Sequence, residues 1–361
     1  SGTSYPGHIF PVESAGDFIL DNEVVRPFEP SDGYNFAAVS YMVTPMKLYN
    51  FYGSGQYDLV MDGWTTLTAF TNASFSNRKS QQQLAAVGTF WSPFVGADHP
   101  NNPLGEDVYV ARRLAENETG RFFTQDVNTY RMIAGLEGNF RNGWTWDMAY
   151  NYARGVDTRV IEGQINQPRV DTVLSPTLCA ADPLCPKLWD PFRVDTLDDE
   201  LKNYILVTHS PVGRRTLRQA QFNLVGDFGS FELPAGPLNW AVGIEQRSEK
   251  AEFIPDGAAS LGMIYFVAGE KTEGKISVDE AYGEIDIPIL ADLPFANVLG
   301  VNLSARYSDY GGALGSNTNM KGSIEWGPIE TLRFRATYAE GFRAPSINEL
   351  FQPQTKSAQQ Y

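Results

Sequence analysis

Residues 143–154 read "GWTWDMAYNYAR", and what their oily side meets decides the fold. Trp144, Trp146, Met148, Tyr150 and Tyr152 alternate with Thr145, Asp147, Ala149, Asn151 and Ala153. A period of two gives an extended segment one apolar face and one polar face. A half-buried strand of a soluble sandwich and a strand facing lipid both satisfy that pattern, so the rest of the chain has to separate them.

The alternation recurs at 48–59, 128–140, 219–228, 238–247, 280–287, 299–308, 320–326 and 332–338. It is less clean at 64–78, where Phe70 falls on the polar side. That makes about ten strands. The polar sides carry charge in mid-strand, with Arg131, Glu137, Glu284, Asp286, Arg306, Arg333 and Arg335. The apolar sides gather Trp, Tyr and Phe towards strand ends, as an interfacial girdle requires.

The connections discriminate better. Tight turns ("VMDGW" 60–64, "RNGW" 141–144, "ELPAGP" 232–237, "ADLPFANV" 291–298, "GPIE" 327–330) alternate with longer links at about 81–120, 161–212, 250–275 and 311–316. A soluble sandwich has no reason to sort its loops by parity. An outer-membrane barrel has brief turns on one side and long loops on the other. The pattern predicts an all-β chain: an antiparallel transmembrane β-barrel section whose oily face touches lipid.

Composition agrees. Aromatic residues are 13% of the 361 and there are 33 Gly, a balance that favours strands and turns. No run approaches the ~18–20 apolar residues that a spanning helix needs, but a barrel fails that test too. The net charge of −15 argues against a nucleic-acid partner, which needs a basic stripe. The opening "SGTSYPGHIF" shows no basic segment followed by an apolar one, so no signal peptide is visible. Cys179 and Cys185, in "LCAADPLCPKLWD", suit a small loop-closing disulfide, with free thiols or a metal as the alternatives. A disulfide points to an oxidising compartment such as the bacterial envelope.

Residues 337–351, "TYAEGFRAPSINELF", carry a family resemblance. The chain resembles the TonB-dependent receptors, plugged barrels that import scarce nutrients into Gram-negative bacteria. Gly341, Phe342, Arg343, Ala344, Pro345, Ser346, Asn348, Glu349, Leu350 and Phe351 match the family's "GFRAPS-NELF" signature in order. "DGYNFA" (32–37), "YMVTP" (41–45), "FELPAGPLNWAVGIEQR" (231–247), "VDEAYGEIDIPIL" (278–290) and "ARYSDY" (305–310) are similar to the same family, extending the resemblance from about residue 30. Family members begin with a TonB-binding box and a plug domain, and end in a strand with a terminal aromatic. Tyr361 follows "QPQTKSAQQ", which does not alternate. The resemblance therefore implies that residues 1–361 are a partial β-barrel domain, about ten strands of a 22-stranded barrel, with plug and C-terminal strands outside this chain. Open strand edges cannot be satisfied by lipid, so further strands are expected. A self-sufficient ten-stranded barrel is the alternative.

Site expectations follow. Arg131, Glu137, Arg306, Glu325, Arg333 and Arg335 face the lumen, with Arg333 and Arg335 more simply read as pairing with Glu325 than as binding substrate. The "FRAPSINELF" stretch is read as a strand end and loop that shape the lumen. In the long loops, Trp91, Arg112, Arg113 and Trp189 are the candidate ligand contacts, since loops on rigid scaffolds carry recognition. The three histidines are scattered, and His99 in "GADHPNN" reads as a solvated loop residue. No metal spacing, phosphate loop or nucleophile elbow occurs, so neither a metal, a cofactor nor an enzymatic activity is expected. What the resemblance implies is active uptake across the Gram-negative outer membrane. The substrate would be a ferric siderophore, or alternatively a carbohydrate or cobalamin, with energy from the TonB–ExbB–ExbD complex. A passive porin and a soluble binding module are the rivals.

Overall fold

The structure, a computed structural model, describes residues 2–61, 65–118, 120–265, 267 and 269–352. The centre of the turn expected at 60–64 and the segment from Pro353 to Tyr361 lie outside these. In chain order the strands are β1 (His8–Pro11), β2 (Phe18–Asp21), β3 (Val24–Pro27), β4 (Met46–Met61), β5 (Thr65–Leu84), β6 (Phe94–Val95), β7 (Val108–Ala111) and β8 (Arg121–Phe140). They continue with β9 (Thr145–Ile165), β10 (Leu206–His209), β11 (Val212–Leu233), β12 (Gly236–Ile254), β13 (Thr272–Leu293), β14 (Ala296–Asp309), β15 (Ser316–Ile329) and β16 (Leu332–Ala339). The helices are short: α1 (Gln167–Val173), α2 (Pro176–Ala181), α3 (Asp199–Ile205), α4 (Gly257–Ser260) and α5 (Ile347–Phe351).

The ten alternating segments all become long antiparallel strands of one sheet, in the order β16-β15-β14-β13-β12-β11-β9-β8-β5-β4. Each pairs with its sequence neighbour among them, as a meander does, and β10 adds to the loop end of β9. Among the described residues the edge strands β4 and β16 do not pair with each other.

Register makes the two faces continuous. Leu136, Met148, Phe222, Ile244, Ala281 and Tyr307 lie opposite one another across six strands. The next row, on the opposite face, is Glu137, Asp147, Asn223, Gly243, Tyr282 and Arg306. No second layer of the chain covers the apolar side: Met148 is 45%, Tyr150 49% and Ile244 60% exposed. A soluble sandwich would bury these side chains.

At the short-turn end this apolar side closes on a ring of aromatics. Trp144 meets Trp240 edge-on at 4.9 Å, and Trp326 stacks on Phe334 at 5.5 Å. Trp144 Nε1 donates to the Asp227 carbonyl (3.0 Å) and Trp326 Nε1 to that of Phe295 (2.8 Å). The indole bodies stay on the oily side while their N–H groups hold the turns, as side chains at a bilayer interface do. Towards the loop end the same side turns ionic, with Lys250–Glu273 (2.6 Å), Lys271–Glu252 (3.4 Å) and Arg214–Glu252 (3.6 Å). The apolar band is therefore bounded along the strands, as a bilayer of finite thickness demands.

Phe70, the residue that broke the pattern, has a local cause. It lies across Gly135 on the polar side, where an added Cβ would come within 2.5 Å of its ring. The ring covers a backbone stretch that has no side chain of its own.

The long links are not irregular. Strands β5 and β9 run further than the periodicity predicted, and what remains of the links folds into a cap at the loop end. Residues 2–45 contribute no strand to the large sheet; β1, β2 and β3 join β7 and β6 in a separate sheet ordered β3-β2-β1-β7-β6. Ile9, Val95, Val108, Val110, Val170, Val173, Trp189 and Phe192 form its core with α1 and α3. Most of the buried apolar side chains among the described residues belong to this cap, not to the large sheet.

That core corrects several loop expectations. Arg112 and Trp189 are 0% exposed and Arg113 4%, so these are core side chains of the cap and not exposed loop residues. The Arg112 guanidinium lies 5.0 Å over Trp189 and 5.4 Å over Tyr5, donates to Thr196 Oγ1 (2.8 Å), and pairs with Glu116. Trp91 packs partly exposed against the core, its Nε1 donating to Asp171 (3.3 Å). His99 is buried, not solvated; burial pushes its pKa down, and its Nδ1 accepts from the Asn101 N–H (3.3 Å). Spacing alone does not show that these loops condense into a core. Cys179 and Cys185 are joined in a disulfide, Cα–Cα 5.3 Å, that ties α2 to the segment after it.

Two outcomes follow. Met148→Arg, in the middle of the apolar band, is expected to cost ~2–4 kcal/mol, whereas Gln221→Arg on the polar side is tolerated; denaturant unfolding from lipid vesicles measures the difference. Glu116→Ala leaves the buried Arg112 cation unpaired and is expected to destabilise the cap by ~3–5 kcal/mol, read from amide exchange in β7.

Candidate functional site

The polar side of the large sheet is a connected network. Tyr282 reaches over Gly243 to donate to Asn223 Oδ1 (2.8 Å), and Asn223 donates to Asp147 (2.9 Å). Arg306 pairs with Glu280 (3.0 Å) and Glu245 (3.5 Å), and Arg247 with Glu245 (3.0 Å). Ser308 Oγ donates to Glu280 (2.5 Å), which is nearly buried. Arg131 Nε donates to Asn151 Oδ1 (3.2 Å), and Asn151 passes the chain on to Gln219 (3.1 Å). Arg333 and Arg335 share Glu325, at 2.8 and 3.5 Å. Glu137 stands apart, in a polar recess beside Thr68, Asn139 and Asp147 near the turn end. The alternation had placed these residues on one face. It could not show that Glu245, Arg247 and Glu280 form the centre of the network.

The signature stretch does more than end a strand. After β16, residues 340–345 run to Ser346, which caps α5, a helix where the sequence suggested a loop. Ser346 Oγ accepts from the Glu349 N–H (3.3 Å), and the Glu349 carboxylate accepts from the Ser346 N–H (2.7 Å). This reciprocal cap is the S-x-x-E pattern of the sequence. Arg343 then grips the same carboxylate with both Nη atoms, at 3.1 and 2.8 Å. Phe342 leans towards Tyr310, while Leu350 remains exposed. The helix seats Ile347 and Phe351 in a notch on β13 at Gly274. A Cβ there would lie 2.7 Å from Ile347 Cγ2 and closer still to the Phe351 ring, so only glycine admits the helix.

Between this folded-back stretch and the polar side lies a cleft of about 740 Å³. Arg215, Arg247 and Glu249 face it from the polar side, and Arg343 borders it; Arg247 is paired with Glu245 and Glu249, and Arg343 with Glu349, which leaves Arg215. A second space of about 620 Å³ adjoins it, and Thr129, Gly155, Arg215, Ala251 and Asn348 line both. Arg215 stands between Gly155 and Ala251 in register, and among the described residues it has no hydrogen-bond or ion-pair partner. An unpaired cation beside low-dielectric walls attracts ions of the opposite sign. Among the described residues no cluster of three or more His, Cys, Asp or Glu could hold a metal.

The Arg343 guanidinium and two hydrogen bonds from Ser346 hold the Glu349 carboxyl down at about 2. Its folded pKa is depressed, so its stabilisation is present above the unfolded value and lost as pH falls through the folded one. Docking of α5 is therefore expected to weaken progressively as pH falls from the ordinary carboxyl value of 4.5 towards about 2, while Glu349→Gln loosens it already at neutral pH. Amide exchange of residues 347–351 across pH checks this.

No curated protein and no solved structure matches the chain. Residues 63–360 match the family described as TonB dependent receptor-like, beta-barrel. The match spans most of the chain and includes every strand from β5 to β16, the network and the signature stretch. The chain therefore belongs to the TonB-dependent receptor-like β-barrels, transport proteins of the Gram-negative outer membrane that work with TonB on a small-molecule substrate.

Proposed function

We propose that this chain forms the wall and outer mouth of an active importer for an anionic ferric chelate, a ferric siderophore, driven through the TonB–ExbB–ExbD complex. Edge strands β4 and β16 continue into a larger plugged barrel, because lipid offers nothing to their backbone groups. The polar side is the lumen wall. The cap gathers at the mouth, and a ligand passing it meets the cleft at Arg215.

The observation that carries this reading is Arg215, whose guanidinium has no partner among the described residues and stands beside an open cleft on the polar side of an acidic chain. Oxygen-donor ligands that saturate ferric iron leave the complex with surplus negative charge, which such a cleft attracts. A neutral carbohydrate would draw nothing from an unpaired guanidinium beyond hydrogen bonds.

Uptake of radiolabelled ferric chelate by cells making the protein tests it. Uptake is expected to require TonB and the proton gradient, and Arg215→Glu to lower it about tenfold or more, a loss of roughly 1.4 kcal/mol. Arg218→Glu, on the other side of the same strand, should leave it unchanged. Uptake of a sugar or cobalamin in place of iron would move the substrate to those alternatives, and steady conductance without TonB would favour a porin.

A further inference from the structure

A smaller pocket of about 260 Å³ opens off the second space, at the junction of the large sheet with the 255–271 link. Arg159 and Phe253 line both, and so mark the passage between them. The pocket's apolar walls are Phe123, Ile161, Pro211, Phe253, Pro255 and Ala259, with Gln164 and Asp256 beside them. Phe123 and Ile161 are cross-strand partners on the side that is polar elsewhere. Three strands thus interrupt their polar alternation at one level, and the apolar residues so placed line a space that they leave open.

His209 closes one wall. It is 3% exposed, and neither ring nitrogen has a hydrogen-bond partner. Burial pushes its pKa below the usual value, with Asp256 opposing, so this wall is neutral at pH 7. The charge nearest the passage, on Arg159, is already satisfied by Asp157 (2.9 Å).

We propose that this pocket is a binding site for one aromatic ring that carries no negative charge. An apolar cavity of roughly 150 Å³ stays dry and holds benzene, so this volume admits a substituted ring. Phe123 and Phe253 offer ring faces and edges, and apolar walls reward the transfer from water by about 25 cal/mol per Å² buried. The Asp256 carboxylate, which lines the pocket and accepts only from the Ser210 and Ala258 N–H groups, disfavours an anionic ring, which would lose its hydration without gaining a free counter-charge. That the group is an aryl arm of the transported chelate rests on the import reading above; occupancy by a free ring does not.

The test uses 4-fluorophenol and fluorine NMR on the intact protein purified in detergent. A saturable shift is expected. Ala259→Leu and Val267→Phe, each filling the pocket from a different element, should weaken it by about tenfold or more, equivalent to roughly 1.4 kcal/mol. 4-Fluorobenzoate, the same ring carrying an anion, should show no saturable shift. No saturation by the phenol, or saturation that survives both fillings, overturns the proposal. Binding of the phenol without uptake of iron chelate would keep the pocket and overturn only the import reading.

Discussion

Everything in this molecule depends on the obligation of a backbone in lipid to satisfy its own hydrogen-bonding groups. The ten long strands meet it laterally, each laddered to its neighbours, so pairing register becomes the master variable. A slip of one residue would turn Met148 and Ile244 to water and Asp147 and Glu245 to hydrocarbon. The row from Leu136 to Tyr307 and the row from Glu137 to Arg306 are consequences of the same ladder. One row supplies the lipid contact and the other supplies the lumen chemistry.

Because lipid solvates the outer side, the large sheet needs no second layer, and the chain concentrates its close packing elsewhere. The cap holds most of the buried apolar side chains among the described residues, organised around Trp189, Phe192 and the Arg112–Glu116 pair. The two regions thus rely on different solvents. The sheet is stabilised by ladders and bilayer, while the cap is stabilised by the hydrophobic effect in water. The long links are therefore structural members as well as a recognition surface.

The polar side shows a further division. Around Glu245 and Glu280 the charges cancel in a network of pairs, which suits a wall that must hold its shape. Arg215 is left out of that pairing, and the space beside it is open. The signature stretch stands at that boundary: Arg343 and Glu349 fix the turn, Gly274 receives the helix, and Asn348 faces both spaces.

The sequence by itself determined the ten strands, their two faces, the parity of the connections and the family to which the signature belongs. Those features are local: a period of two, turn residues, and ten residues in fixed order. It also contained the S-x-x-E cap of α5, although the proline-bearing stretch before it reads more readily as a loop. Only the tertiary structure decided that Arg112, Arg113 and Trp189 are core residues, because burial depends on β1, β2, β3, β6 and β7 meeting across some hundred residues of chain. It alone singled out Arg215 and the pocket beside His209. Alternation says which side of a strand a residue occupies, but whether a charge there is paired, or an apolar side chain covered, is set by neighbours that the chain brings from afar.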